Sequence, residues 1–404
     1  MNGRSARRTG RVCSAGIVNQ AVIVNITALL FLPFMRLYGF TYVQLGMLTA
    51  AGFSSQMCAD VLLVFLIDRV SAKKLAFFAS FASFAGLVFY GCVPYFFSGD
   101  GVYIGIVAAT AVFAFAGGML EVVLSNVAEG LPEGGVFSVC FLHTVYAWAQ
   151  VALSLLLLGS LALFGEARWN LILFPLALIP AGVFLALFRT EMPSRVKRER
   201  VRASFSPFYL FALLAVFFGY GSEVVMNQWI SSYAESVFGF ESGGTLGCAL
   251  FALCLGAGGA VYVIVFQRRE RVPFRALTAA ALAAAAMYVL AALLPGEGWS
   301  LACAIGCGFF AGVLSPGAIT AAGSFLPLAG GWMLASLAVS QDIGAAVLPM
   351  AAGVLADGFS LRAAFLVSAL APLLAAAALA LMARSKGNKP RKRKEFDKDL
   401  LSRL

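Results

Sequence analysis

Long apolar runs separated by short polar breaks fill almost the whole chain. Each run has close to the roughly 20 apolar residues that an α-helix needs to cross a bilayer. The pattern predicts an all-α membrane protein with twelve spans, six on each side of a central charged segment. The predicted spans are 14–38, 43–67, 75–95, 102–128, 136–164, 170–188, 207–237, 243–266, 275–294, 300–326, 331–356 and 361–383.

The central break is the stretch from Arg189 to Arg202, which holds six Arg or Lys and two Glu in fourteen residues. Charge blocks of this kind stay in water, so we interpret it as a connector and not as a nucleic-acid patch. It divides the chain into four parts. They are an N-terminal six-helix bundle (1–188), a basic linker (189–206), a C-terminal six-helix bundle (207–383) and a basic tail (384–404).

Composition makes lipid the expected solvent. Apolar residues are 61% of the chain and charged residues are 12%, about half the charged share of a typical soluble domain. The eight cysteines lie in or beside apolar runs and form neither a disulfide framework nor a metal-ligand pair. The first run is too long for a cleaved signal peptide and is expected to be a retained span.

Basic residues predict the orientation. With the N-terminus inside, 26 of the 29 Lys and Arg fall on the cytoplasmic side, and only Arg36, Arg168 and Arg362 fall on the other. Cytoplasmic loops of membrane proteins carry an excess of these residues. Both termini are therefore expected in the cytoplasm, and the membrane is expected to be the bacterial cytoplasmic membrane.

Two short echoes suggest that the halves are related. Phe115-Ala116-Gly117 recurs as Phe310-Ala311-Gly312, and Leu131-Pro132 recurs as Leu326-Pro327, both 195 positions later. This offset makes the fourth and tenth spans counterparts, as in transporters built from two parallel six-helix repeats.

The segment from Asp68 to Lys74 resembles the loop signature of the major facilitator superfamily, with Val64 and Ser71 where that family has Gly. Further segments resemble a bacterial branch near the fucose/proton symporters. The resemblance implies two six-helix bundles around a central cavity and a sugar-like solute. The segments concerned are 141–148, 222–229, 315–317 and 342–344 with Pro349.

Four acids lie well inside predicted spans: Asp60, Glu121, Glu223 and Asp342. An ionisable side chain in hydrocarbon costs a few kcal/mol on insertion scales, so each needs a reason to be there. One interpretation is that at least one of them binds a proton or the substrate. The other is that each acid is a structural partner for an amide or hydroxyl of a neighbouring helix.

Glu223 is the leading candidate because it lies near mid-depth of the seventh span. Burial favours the protonated carboxyl, which a proton carrier requires. Asn227 follows one turn later, and Gln228, Trp229 and Tyr233 continue a polar and aromatic stripe that suits a polyhydroxylated solute. Hydrogen bonding between helices is the alternative role.

The fifth span carries a second stripe. His143, the one histidine of the chain, shares a helix face with Tyr146 and Gln150 at i, i+3 and i+7. We interpret this face as lining a cavity or gate, against the alternative of a packed histidine. A metal site is not expected, because no second histidine or suitably placed cysteine accompanies His143.

The remaining candidates lie elsewhere in both halves. Asn25 belongs to the first span, which lines the cavity in the superfamily that the chain resembles. Asp68, Arg69 and Lys73 are expected to form a charge lock at the cytoplasmic face, and Asp60 to brace that loop or line the pathway.

The sequence contains no nucleotide-binding loop, metalloprotease motif or nucleophile elbow, so no enzyme activity and no cofactor are expected. We predict a secondary transporter of a small polar solute, coupled to protons, that is sufficient as a monomer. Its expected partners are the solute, the coupling ion and lipid, with no nucleic acid. Efflux of drugs or metabolites is one alternative, and a sensor or scaffold without transport is another.

Overall fold

The computed structural model describes residues 3–66, 69–129, 131, 139–192, 206–238, 243–266, 273–325 and 331–385, and all of its regular structure is helical. A 3-10 helix (Glu166–Ile172) precedes α7. The helices are α1 (Gly3–Leu29), α2 (Phe31–Tyr38), α3 (Tyr42–Leu66), α4 (Ala72–Phe96), α5 (Gly101–Glu129), α6 (Val139–Phe164), α7 (Leu173–Phe188), α8 (Pro207–Phe238), α9 (Gly243–Phe266), α10 (Phe274–Leu293), α11 (Glu297–Ala311), α12 (Leu314–Phe325), α13 (Gly331–Gly358), α14 (Leu361–Ser368) and α15 (Leu370–Ser385).

Twelve helical segments of the described ranges are long and apolar enough to cross a membrane, which confirms the predicted number of spans. Four of these spans combine two shorter elements: α1 with α2, the 3-10 helix with α7, α11 with α12, and α14 with α15. The chain is an integral, multi-pass membrane protein.

The first helix begins earlier than its apolar run predicts. It starts at Gly3, so the four arginines Arg4, Arg7, Arg8 and Arg11 are helical. Thr9 explains part of this, because its hydroxyl donates to the backbone oxygen of Glu191 at 2.8 Å and joins the helix start to the end of the sixth span.

Two bundles of six spans pack side by side. Across their boundary α3 packs against α13, and α6 packs against α9. These two pairs are equivalent under the exchange of the halves, since α3 and α9 are the second span of each bundle while α6 and α13 are the fifth. The predicted two-bundle architecture is therefore confirmed.

Glycines permit the closest helix contacts. A Cβ on Gly258 of α9 would lie 2.0 Å from the backbone oxygen of Phe309 on α11. A Cβ on Gly46 of α3 would lie 3.1 Å from Met350 Cα on α13, across the boundary between the bundles. Gly258 therefore allows α9 and α11 to pack closely together.

We name the two ends of the bundle by their charge. The basic face is the end where α1 begins and α7 ends, and the opposite face is the end where α2 ends and α3 begins. Several predicted features lie wholly or partly outside the described residues. They are linker residues 193–205, the tail beyond Ser385, Asp68 and the second pair of sequence echoes. The proposed domain boundaries stay predictions.

Candidate functional site

A run of hydrogen bonds joins the two halves near mid-depth. Asn25 of α1 donates from Nδ2 to the Tyr146 hydroxyl of α6 at 3.0 Å, and Asn227 of α8 donates to Asn25 Oδ1 at 2.8 Å. Gln150 of α6 then donates from Nε2 to Asn227 Oδ1 at 2.7 Å. We call these four residues the amide bridge. Every one of them is a residue that the sequence proposed for the site.

The amide bridge retains one acceptor without a partner. Gln150 Oε1 is buried, and no described group donates to it. A buried acceptor without a hydrogen bond is costly, and natural proteins rarely leave one. Gln150 Oε1 is therefore an atom of the bridge with unused capacity to accept a hydrogen bond.

A second contact between the halves lies beside the bridge. The Thr49 hydroxyl of α3 donates to Gln228 Oε1 of α8 at 3.2 Å. Both residues line a small cavity between α1, α3, α5 and α8, together with Thr27, Gln56 and Thr110. Gln228 therefore faces the boundary between the bundles, in agreement with its position in the predicted polar stripe.

The acids are linked to one another through glutamines. Gln20 of α1 donates from Nε2 to Glu121 of α5 at 2.6 Å and to Gln56 Oε1 of α3 at 3.1 Å. Gln56 Nε2 lies 3.4 Å from Asp342 Oδ1 of α13, so this second series of contacts also crosses between the bundles. Within the described ranges, no three His, Cys, Asp or Glu side chains are grouped as metal ligands.

Glu223 lies one turn before Asn227 on α8 and is half-buried. Its carboxyl acts electrostatically on the hydroxyls of Tyr146 and Tyr220, so it adjoins the amide bridge. Glu223 and Asn227 are thus neighbours on α8, as predicted. The role of Glu223 in proton transfer stays a prediction.

Trp229 has a different environment from the one its sequence context suggested. It is completely buried, and its Nε1 donates to the backbone oxygen of Pro349 at 3.1 Å. Its ring packs against Phe31 at 5.3 Å and Tyr42 at 5.5 Å between centroids. In this conformation Trp229 joins α2, α3, α8 and α13, and it presents no ring face to a solute.

His143 lies in α6, but its side chain is outside the described part of the structure. Asp68, which belongs to the proposed charge lock, is outside the described residues altogether. Lys73 donates from Nζ to the backbone oxygen of Thr190 at 2.9 Å, which fastens the start of α4 to the end of α7, and Arg69 is exposed. The lock as a whole stays a prediction.

Contacts at the opposite face hold the halves together there. Arg36 of α2 forms ion pairs with Glu166 of the first half and with Glu235 of the second. Asp357, at the end of α13, accepts from the backbone N–H groups of Tyr42 at 3.0 Å and Val43 at 2.7 Å. The carboxylate thereby caps the first turn of α3, a favourable position for a negative charge.

Sequence reasoning missed several of these residues. Thr49 and Gln56 are seven positions apart and therefore share one face of α3, a signal that the polar pattern contained. Arg36 was noted only as an exception to the charge distribution. Its pairing with Glu235 had no signal in the sequence, because the two residues are 199 positions apart.

Solved structures with the same architecture are known. The crystal structure of FucP, a major facilitator superfamily transporter, in the outward conformation aligns with 94% of this chain and 99% of its own, with a TM-score of 0.67 and 15% identity. A bacterial homolog to the human lysosomal transporter Spinster, inward-facing and unoccupied, covers 95% of this chain and 97% of its own, with a TM-score of 0.67 and 14% identity.

The E. coli fucose:proton symporter FucP aligns with 92% of this chain and 97% of its own, with a TM-score of 0.66 and 18% identity. No protein-family profile matches the sequence. No curated protein matches it either. At these identities the likeness shows the fold. This chain has the major facilitator fold, and the predicted resemblance is confirmed at that level.

Proposed function

We propose that this chain is a secondary active transporter that moves a small polar solute across the bacterial cytoplasmic membrane by alternating access. The observation that carries the proposal is the amide bridge, Tyr146–Asn25–Asn227–Gln150, which combines polar groups of both halves in one place. A solute held by both halves gives up its contacts with one of them when the halves rock apart.

The chemistry of the bridge supports a neutral, hydroxyl-bearing solute. Amides both donate and accept, and Gln150 Oε1 has an acceptor position available for a hydroxyl. The ionisable neighbours of the bridge tyrosine in the described part of this region include the acids Glu223 and Glu121, which disfavour an anionic solute. A sugar-like molecule meets these requirements.

We infer that the transport is coupled to protons. Glu223 is on the same helix as Asn227 and one turn away, so a proton on Glu223 and a solute on Asn227 influence one another directly. Coupling of this kind requires that each ligand change the affinity for the other by the same factor.

We infer from the charge distribution that the basic face lies in the cytoplasm. The ion pairs of Arg36 and the cap formed by Asp357 would then hold the outward side closed. Opening to the outside requires that these contacts break.

Purified full-length protein in proteoliposomes tests the proposal. A thermal-shift screen of sugars, organic acids and amphipathic cations first selects a ligand, which is then radiolabelled. We expect an inward proton gradient to drive its accumulation and a protonophore to abolish it. Equal accumulation with and without the gradient would contradict proton coupling, and binding without any flux would indicate a sensor or scaffold instead.

A further inference from the structure

Two buried aspartates meet where α3 of the first half packs against α13 of the second. Asp60 is 7% exposed and Asp342 is 3% exposed. Their carboxyl groups lie close enough across this helix contact to interact with one another. Gln56, one turn before Asp60 on α3, directs its Nε2 toward Asp342 Oδ1 at 3.4 Å.

The contact between the carboxyls needs a proton. Asp60 Oδ1 and Asp342 Oδ2 are both buried, and none of the described side chains or backbone groups donates to either oxygen. An ionised carboxylate can only accept a hydrogen bond, so two ionised aspartates cannot bond to one another. When two carboxyls share a buried site, one of them keeps its proton, because two adjacent charges in a dry place are strongly unfavourable.

Among the described residues, no basic side chain is positioned to neutralise the two carboxyl groups in place of that proton. The ionisable group that faces the pair from α5 is the acid Glu121, and α8 contributes Tyr220, which senses the charge of Asp342. The neighbour from α1 is Gln20, which is neutral and already donates to Glu121 and Gln56. The surroundings therefore offer acids and amides, and only a bound cation can neutralise the pair.

We propose that Asp60 and Asp342 form a one-proton site between the two halves. With one proton shared between them, the carboxyls join α3 to α13. When that proton leaves for water on the basic-face side, two carboxylates remain and repel each other, so the helices separate at this depth. Asp60 is six residues before the end of α3, about 9 Å along the helix, so the distance to that face is short.

This site uses other residues than Glu223 and the amide bridge, although Tyr220 lies near both places. It lies on the contact between α3 and α13, whereas the bridge joins α1, α6 and α8. In transport, the aspartate pair would make the contact between the halves depend on protonation, and only this role rests on the proposed function. The proton site itself does not require that any solute be carried.

Infrared difference spectroscopy tests for the shared proton directly. Full-length protein in lipid vesicles is measured at neutral and alkaline pH, and the C=O stretching band of a protonated carboxyl is followed. We expect a band that disappears at alkaline pH in the wild type and that is diminished in both Asp60→Asn and Asp342→Asn. Glu223→Gln should leave this component in place.

A band that both aspartate variants leave unchanged would overturn the proposal. So would its disappearance at neutral pH when sodium replaces potassium, because the pair would then bind sodium in place of a proton. Neither measurement uses a solute, so a failure here is distinguishable from a failure of the proposed transport function.

A distance measurement tests the mechanical consequence. Spin labels are attached through cysteines introduced at Lys74 and Arg275, two exposed positions near the basic face on different halves. We expect the distance to lengthen as the pH rises. In the double variant Asp60→Asn and Asp342→Asn, the amides bond without a shared proton, and the distance should stay short. An equal response of both proteins, or no response in the wild type, would contradict the mechanism.

Discussion

Asn227 on α8 donates a hydrogen bond to Asn25 on α1 across 2.8 Å, although the two residues are 202 positions apart in the chain. Asn25 in turn donates to Tyr146, and Asn227 accepts from Gln150. Each bond in this bridge therefore depends on its neighbour. A solute that enters here exchanges bonds with groups of both halves at once, which is the property that the proposed transport uses.

Replacing Asn227 by Ala should reduce solute uptake more than it reduces stability. The change removes the amide of the bridge that a solute would bind, and one or two lost hydrogen bonds to the solute, of about 1 kcal/mol each, correspond to roughly a five- to thirtyfold fall in uptake efficiency. Initial uptake rates over a range of solute concentrations check this.

Asn170→Ala is the matched control for that change. Asn170 is also buried, but it donates to the backbone oxygen of Gly91 at 2.8 Å within the first half. We expect it to lower the melting temperature and leave the apparent affinity unaltered. Similar losses of affinity in the two variants would argue against the bridge as the solute site.

Glu223→Gln should separate solute exchange from accumulation. The amide imitates the protonated carboxyl and cannot release a proton, so exchange of labelled for unlabelled solute should persist while gradient-driven accumulation is lost. Exchange by the wild type should weaken as the pH rises, and exchange by the variant should not. Asp100→Asn, in the exposed turn between α4 and α5, is the control. Accumulation retained by Glu223→Gln would remove this residue from the coupling mechanism.

Arg36→Gln should favour opening at the opposite face. Without the guanidinium, Glu166 and Glu235 lose the cation that joins them, and the two ion pairs are partly exposed, so each contributes about 1 kcal/mol or less. Distances between spin labels at Leu37 and Phe359, both exposed and on different halves, measure the change.

We expect a longer mean distance between those labels in Arg36→Gln, and a similar shift in the wild type at high salt, since salt screens exposed pairs. Arg168→Gln, an exposed arginine at the same face, should leave the distance unchanged. If the Arg36 variant keeps the wild-type distance at low salt, the ion pairs do not control this face.

Gly258→Ala should destabilise the second half. The new methyl group would lie 2.0 Å from the backbone oxygen of Phe309, so α9 and α11 must move apart, at a cost of about 1–3 kcal/mol. Gly306→Ala, in a helix position where a Cβ meets nothing within 4 Å, should be neutral or slightly stabilising. Melting temperatures in detergent compare the two, and equal melting temperatures would contradict the packing argument.

The polar stripes on the spans were predictable because an α-helix fixes which residues share a face. Tyr146 and Gln150 on α6 follow from this periodicity and do meet the boundary between the halves, as do the neighbouring amides Asn227 and Gln228 on α8. Trp229 belongs to the same stretch, yet it is buried among rings of other spans. Helix periodicity gives the direction of a side chain, but it does not show what another helix places against it.

The sequence by itself determined the solvent, the number of spans and the two-bundle arrangement, because apolar run length and the cost of exposing backbone groups to lipid act locally along the chain. Only the tertiary structure decided which polar groups become partners. Asp60 with Asp342, Asn25 with Asn227 and Arg36 with Glu235 each join separate halves. Such pairs depend on how the two bundles are positioned relative to one another, and the sequence pattern of a single helix does not indicate that position.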